Sequence, residues 1–150
     1  SPFAQNCATA FHVRAGDLAE AVRLVGQRET FVLAQAPLSA AVVLSKAGQP
    51  AEKFLEAAER DLERAVPRSS EAARLVTRAR IAVMRDQRER ALDLLEQAVA
   101  AGYWLGPWYR LAPEWDRVRG EPRFQAITAP VDAELERMRA ELAARFAAGS

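Results

Sequence analysis

Residues 78–102 read Arg-Ala-Arg-Ile-Ala-Val-Met-Arg-Asp-Gln-Arg-Glu-Arg-Ala-Leu-Asp-Leu-Leu-Glu-Gln-Ala-Val-Ala-Ala-Gly. An apolar row at helical spacing ends in a polar turn at Asp86-Gln87, and a second row begins at once with alanines on its inner face. Apolar residues recurring every three or four positions bury only if the chain coils into a helix and sets that face against another element. Alanines on the facing side let two antiparallel helices approach closely. This stretch is therefore constrained to a helical hairpin.

The same punctuation recurs upstream. Turns centred on Gly16-Asp17, Gly48-Gln49-Pro50 and Asp86-Gln87 are spaced 32 and 38 residues apart (48 − 16 and 86 − 48), a quasi-period close to the length of a two-helix repeat. Leu18, Ala21, Val22 and Val25 follow the first turn, Leu55, Ala58, Leu62 and Ala65 the second, and Ala91, Leu95, Ala98 and Val99 the third. Each set fits one helical face. Asp17 is placed to cap the helix running to about Gln27, and Ser69 or Ser70 to cap the one through Met84. Pro50 suits a first helical turn. The leading helices are less regular: residues 3–15 carry Phe3, Cys7, Phe11 and His12, and 38–47 is almost wholly apolar. Pro37 interrupts Phe31–Leu44, so that helix is kinked or begins after the proline.

The last third changes character. Tyr103, Trp104, Trp108, Tyr109 and Trp115, five of the eleven aromatics, crowd into 103–115 with prolines at 107 and 113. This segment is expected to close the open end of the stack, because a repeat array needs its last apolar face covered. A terminal helix is predicted over 130–147, with Val131, Leu135, Met138, Leu142 and Phe146 in one stripe. That stripe suits packing in cis on the third hairpin, or a homodimer. The resulting expectation is an all-α right-handed stack of about three antiparallel hairpins (3–30, 34–66, 69–102), an aromatic cap (103–128) and a C-terminal capping helix.

Composition narrows the function. With 21 basic and 20 acidic residues the chain is nearly neutral, and arginine supplies almost all the positive charge. That argues against direct nucleic-acid binding, which needs a clustered basic excess. Cys7 is the single cysteine and His12 the single histidine. They make neither a disulfide, a metal cluster nor a nucleophile–base pair. No apolar run reaches the roughly 20 residues that span a bilayer. The chain begins at Ser1 and reads as a piece of a longer protein, in the cytoplasm or, behind a membrane-anchored parent, the periplasm. Its arginine-dense stretch Arg74, Arg78, Arg80, Arg85, Arg88 and Arg90 is either a surface for carboxylates or a solvated face balanced by Glu71, Asp86 and Glu89.

These turns resemble the tetratricopeptide repeat, in which a Gly or Asp ends the first helix and an Ala follows five residues later. Gly16 leads to Ala21 and Asp86 to Ala91, with Leu95 and Ala98 at further inner positions. Lys53 stands where the middle repeat expects its alanine. Residues 112–124, Ala-Pro-Glu-Trp-Asp-Arg-Val-Arg-Gly-Glu-Pro-Arg-Phe, resemble the ending of many bacterial tetratricopeptide-like regions in multidomain signalling proteins. The resemblance implies a non-catalytic scaffold for a protein or peptide, without a cofactor. Its concave groove would be lined by Asn6, Ala10, Val42, Lys46, Arg80 and Val83. The paired Lys and Asn that clamp a chaperone C-terminus are not reproduced. A small-ligand pocket near Trp104 and Trp108, or a dimerisation module through 131–146, are the alternatives.

Overall fold

The computed structural model describes residues 17–64, 70–106 and 112–149, and all its regular structure among these is helical. The helices are α1 (Leu18–Gln27), α2 (Glu29–Gln35), α3 (Pro37–Lys46), α4 (Glu52–Arg64), α5 (Glu71–Met84), α6 (Arg88–Ala100) and α7 (Pro122–Ala148), with a 3₁₀ turn at Pro113–Arg117. The expected helix over 3–15, with Phe3, Cys7, Phe11 and His12, lies outside the described residues, as do Ser69 and Ala65.

Local chemistry sets the helix boundaries. Asp17 accepts the backbone N–H of Glu20 at 3.1 Å, and Ser70 Oγ that of Ala73 at 3.2 Å. Each satisfies one of the donors a helix start leaves open. Pro37 does not kink a longer helix. It is the first residue of α3, where a missing N–H costs nothing, and it parts α3 from α2.

Three helices end alike. Gln49 N–H donates to Leu44 O, Gln87 N–H to Ala82 O and Tyr103 N–H to Ala98 O, each at 2.9 Å. One residue earlier, Gly48, Asp86 and Gly102 donate to Ser45, Val83 and Val99. This paired pattern closes a helix through one residue in the left-handed region. Its φ is 68° at Gly48, 60° at Asp86 and 88° at Gly102. The first two of these endings fold the chain into hairpins α3–α4 and α5–α6.

The α5–α6 pair is the most extensively packed in the fold. Ala79 and Val83 share a core cluster with Ala91 and Leu95, Ala98 packs with Leu75 and Val76, and Ala79, Val83, Ala91, Leu95 and Ala98 are fully buried. In α4 the inward residues are Phe54, Leu55, Ala57 and Ala58. Lys53, at the position where an alanine was expected, points outward and pairs with Glu29 of α2 at 2.5 Å. The core face of α4 is thus built one residue on, around a large side chain. One continuous core runs from α1 (Ala21, Val25) through α3, α4, α5 and α6 to Trp115, Phe124 and Ile127.

Arginine forks tie the elements together at the surface. Arg85, at the end of α5, bonds both Glu52 (2.6 Å) and Glu59 (2.7 Å) of α4. Arg123 of α7 bonds Glu96 (2.7 Å) and Asp93 (2.6 Å) of α6.

The terminal helix departs from expectation. It begins at Pro122 rather than near 130, with Pro122 in its first turn and Pro130 inside it. An interior proline removes one backbone bond and sets its ring against the carbonyl four residues back. Ala126 and Pro130 are both exposed, so water reaches the freed carbonyl and the helix continues. The stripe also divides. Val131 packs on the core, whereas Met138, Leu142 and Phe146 are 48%, 55% and 71% exposed. Packing of the whole stripe on the third hairpin is therefore not what this helix does. It is tied to α6 near its start, where Arg123 bonds Glu96, and one face of it stays buried or half-buried as far as Leu135, with every residue from 136 to 148 exposed.

Asp86 is the one non-glycine residue at positive φ among the described residues. Replacing it with glycine relieves the Cβ penalty of that conformation and gives up only an exposed pair with Arg88. Asp86→Gly is expected to stabilise by about 0.5 kcal/mol, raising the midpoint of a thermal melt by about 2 °C.

Candidate functional site

The four described residues of the expected groove belong to α3 and α5, the leading helices of the two hairpins. Val42 and Val83 are core residues, and Val83 has no exposure at all. They are not available to a partner. Lys46 and Arg80 reach the surface, but each already holds a carboxylate of the chain itself. Lys46 Nζ donates to Asp116 at 3.1 Å, and Arg80 Nε donates to Glu114 at 2.5 Å. Asn6 and Ala10 lie outside the described residues.

The face those residues define is filled by the 3₁₀ turn, which packs on both α3 and α5. Four consecutive side chains are engaged there. Glu114 is 2% exposed against Arg80. Trp115 is fully buried and lies 5.7 Å from the Phe124 ring at a tilt of 36°. Asp116 takes Lys46 and also Arg119 at 2.9 Å. Arg117 donates to Met84 O at 3.1 Å and to Ser45 Oγ at 3.2 Å, so it neutralises the negative end of α5. Burial pushes the Asp116 carboxyl up, but the bonds from Arg119 and Lys46 outweigh it and hold it below its ordinary range.

The aromatic segment therefore splits by position. Trp115 seals the core between the two hairpins, Tyr103 is half-buried, and Trp104 is 57% exposed. Trp108 and Tyr109 lie outside the described residues.

The arginine-dense stretch also resolves residue by residue. Arg74 pairs with Glu71, Arg80 with Glu114, Arg85 with Glu52 and Glu59, and Arg88 with Asp86. Arg90 bonds only the neutral Gln87, at 3.3 Å. Arg78 and Arg90 line a cleft of about 240 Å³ between α4, α5 and α6, floored by Leu62, Ile81 and Ala82. A larger cleft of about 480 Å³ lies between α1, α3 and α4, lined by Val22, Val25, Leu44 and Phe54. Trp104 lines neither. Among the described residues no three His, Cys, Asp or Glu converge as a metal site, and no helix is long and apolar enough to cross a membrane.

The surface that sequence reasoning left in a secondary place is the distal half of α7. Its exposed apolar row was legible as a stripe, but its exposure depends on where the helix parts from α6. Comparison with protein families, characterised proteins and solved structures gives no match.

Two expectations follow from this geometry. Arg80→Glu sets a second carboxylate against buried Glu114 and so destabilises the fold, rather than leaving it unchanged as a surface residue would. Arg80→Ala is expected to cost about 3 kcal/mol in urea denaturation, and the Arg80→Met/Glu114→Met pair clearly less, because an unpaired buried charge costs more than an absent pair.

The second concerns pH. The Arg85 hydrogen bonds hold Glu59 below the ordinary carboxylate range, as those from Arg119 and Lys46 do for Asp116. A carboxylate whose pKa is lowered on folding stabilises the fold above its unfolded value, about 4, and that contribution is lost as pH falls through the folded value. The thermal midpoint is expected to fall as pH drops below about 5, and to fall less steeply in Arg85→Met, whose Glu59 has lost its hydrogen-bonded cation and keeps only the weaker attraction of Arg90.

Proposed function

We propose that this chain is a non-catalytic, tetratricopeptide-like helical scaffold that binds another protein, with the distal half of α7 as its contact surface. Two hairpins whose leading helices end in the same paired bonds, at Gly48 and Asp86, 38 residues apart (86 − 48), support the repeat reading. The ending at 112–124 supports a place in a bacterial multidomain regulatory protein.

The observation that carries the proposal is the apolar row past Val131. Met138 and Leu142 stand about half exposed on a stretch of helix that is exposed at every residue, and buried aliphatic groups of this size are each worth about 1.5–3 kcal/mol to an interface. The binding face of the scaffold thus moves from the concave side, filled by Glu114–Arg117, to the terminal helix. Preformed helical structure keeps the ordering cost of association low.

The experiment is affinity capture from the source lysate with the intact chain and with Met138→Glu/Leu142→Glu. The intact chain is expected to retain a protein that the variant loses, while the circular dichroism spectrum is unchanged and the unfolding free energy stays within about 0.5 kcal/mol of the parent. Equal capture by both rejects α7 as the surface.

A further inference from the structure

We propose that the cleft between α4, α5 and α6 binds an acidic peptide segment of another protein, Arg78 and Arg90 holding one carboxylate of the segment and the cleft floor taking an aliphatic side chain beside it.

This surface is separate from the face filled by the 3₁₀ turn and from α7. On α5, Arg78 stands about 200° round the helix from Arg80, two residues at roughly 100° each, so it turns away from Glu114. The arginine-dense stretch divides on this point. Arg74, Arg80, Arg85 and Arg88 each hold a carboxylate of the chain itself. The Arg78 guanidinium makes no hydrogen bond or ion pair among the described residues, and that of Arg90 bonds only Gln87 and adds a lesser attraction to Glu59. The two arginines without a carboxylate are exposed and line the same cleft, over a floor of Leu62, Ile81 and Ala82.

Charge and size together select the occupant. Glu59 and Glu63 also line the cleft. Arg85 is shared by Glu59 and Glu52 and has nothing to spare. Against the two remaining cations stands one carboxylate without a bond among the described residues, Glu63, so one positive charge is left over (2 − 1). A single carboxylate neutralises it, and a guanidinium fork matches that group in shape. The second charge of a phosphate, or the row of charges on a nucleic acid, would face Glu59 and Glu63 instead. The cleft volume of about 240 Å³ lies below the roughly 300–1,000 Å³ of sites that enclose a small molecule. It therefore suits one or two side chains of a longer ligand, an acid at the rim and an aliphatic group on the floor.

The test is selection of phage-displayed short random peptides on the whole chain, followed by fluorescence anisotropy of the enriched peptides. These are expected to carry an Asp or Glu next to Leu, Ile or Val, and to bind about tenfold less tightly when that acid is changed to its amide. Arg78→Gln/Arg90→Gln is expected to weaken them by about tenfold with its thermal melt unchanged, since neither side chain holds a carboxylate of the fold. Arg88→Gln, outside the cleft, leaves binding unaltered. Glu63→Gln is expected to strengthen it about threefold, because it removes a like charge. No enrichment overturns the proposal, as do enriched peptides that bind Arg78→Gln/Arg90→Gln and the parent equally well. Displacement of the peptide by inorganic phosphate at lower concentration than by acetate marks a phosphate site and also overturns it. Met138→Glu/Leu142→Glu is expected to bind the peptides as the parent does; loss in that variant assigns them to α7 and rejects the cleft, so the two surfaces stand or fall separately.

Discussion

The seating of Glu114-Trp115-Asp116 between α3 and α5 is the constraint on which the rest of the fold depends. A pair of hairpins leaves the inner faces of its leading helices open, and here Trp115 covers them. A buried tryptophan removes about 200 Å² from water, on the order of 5 kcal/mol, comparable to the whole net stability of many domains. The flanking charges contribute differently. Glu114 is almost wholly desolvated, and its attraction to Arg80 largely offsets that loss. What the pair supplies is register: Glu114 on α5 and Asp116 on α3 fix which way the indole between them must point. Arg117, bonded to the last carbonyls of α5, ends the 3₁₀ turn and directs the chain toward Pro122.

That same contact explains how far function could be read from the sequence. Val42, Lys46, Arg80 and Val83 do belong to one face, because helical spacing alone brings 42 beside 46 and 80 beside 83. What spacing cannot show is that another part of the chain, some thirty to seventy residues on, occupies that face. Only Lys46 and Arg80 carried a hint, as cations with no local carboxylate, and the Glu and Asp flanking Trp115 were the matching half of it.

Elsewhere the legible features were those decided within one turn of helix. The caps at Asp17 and Ser70, the proline start of α3 and the left-handed residues at 48 and 86 are local choices, and periodicity marks them. The inward row Ala91, Leu95 and Ala98 was equally plain. In α4 the inner face is set by what α3 and α5 offer, so a lysine at 53 turned outward and Phe54 took the core. The start of α7 misled for a related reason. Proline usually marks a beginning, and Pro122 and Pro130 both had that claim. The deciding fact is that the face bearing residue 130 meets water.

The distal part of α7 then poses a physical question. The thirteen residues from 136 to 148 keep a helix although each of them is exposed. Intrahelical Arg–Glu pairs supply about 0.3–0.5 kcal/mol each, and an isolated helix of that length is marginal in water. The segment persists because it propagates from a nucleus already fixed by Phe124, Ile127 and the Arg123 clamp on α6, so it need not form its first turn unaided. Helicity alone would be served by alanine and charge. Leucine and methionine spaced on the same face as the core residues add nothing to the monomer, since half of each side chain stays in water. They contribute only when that face is covered.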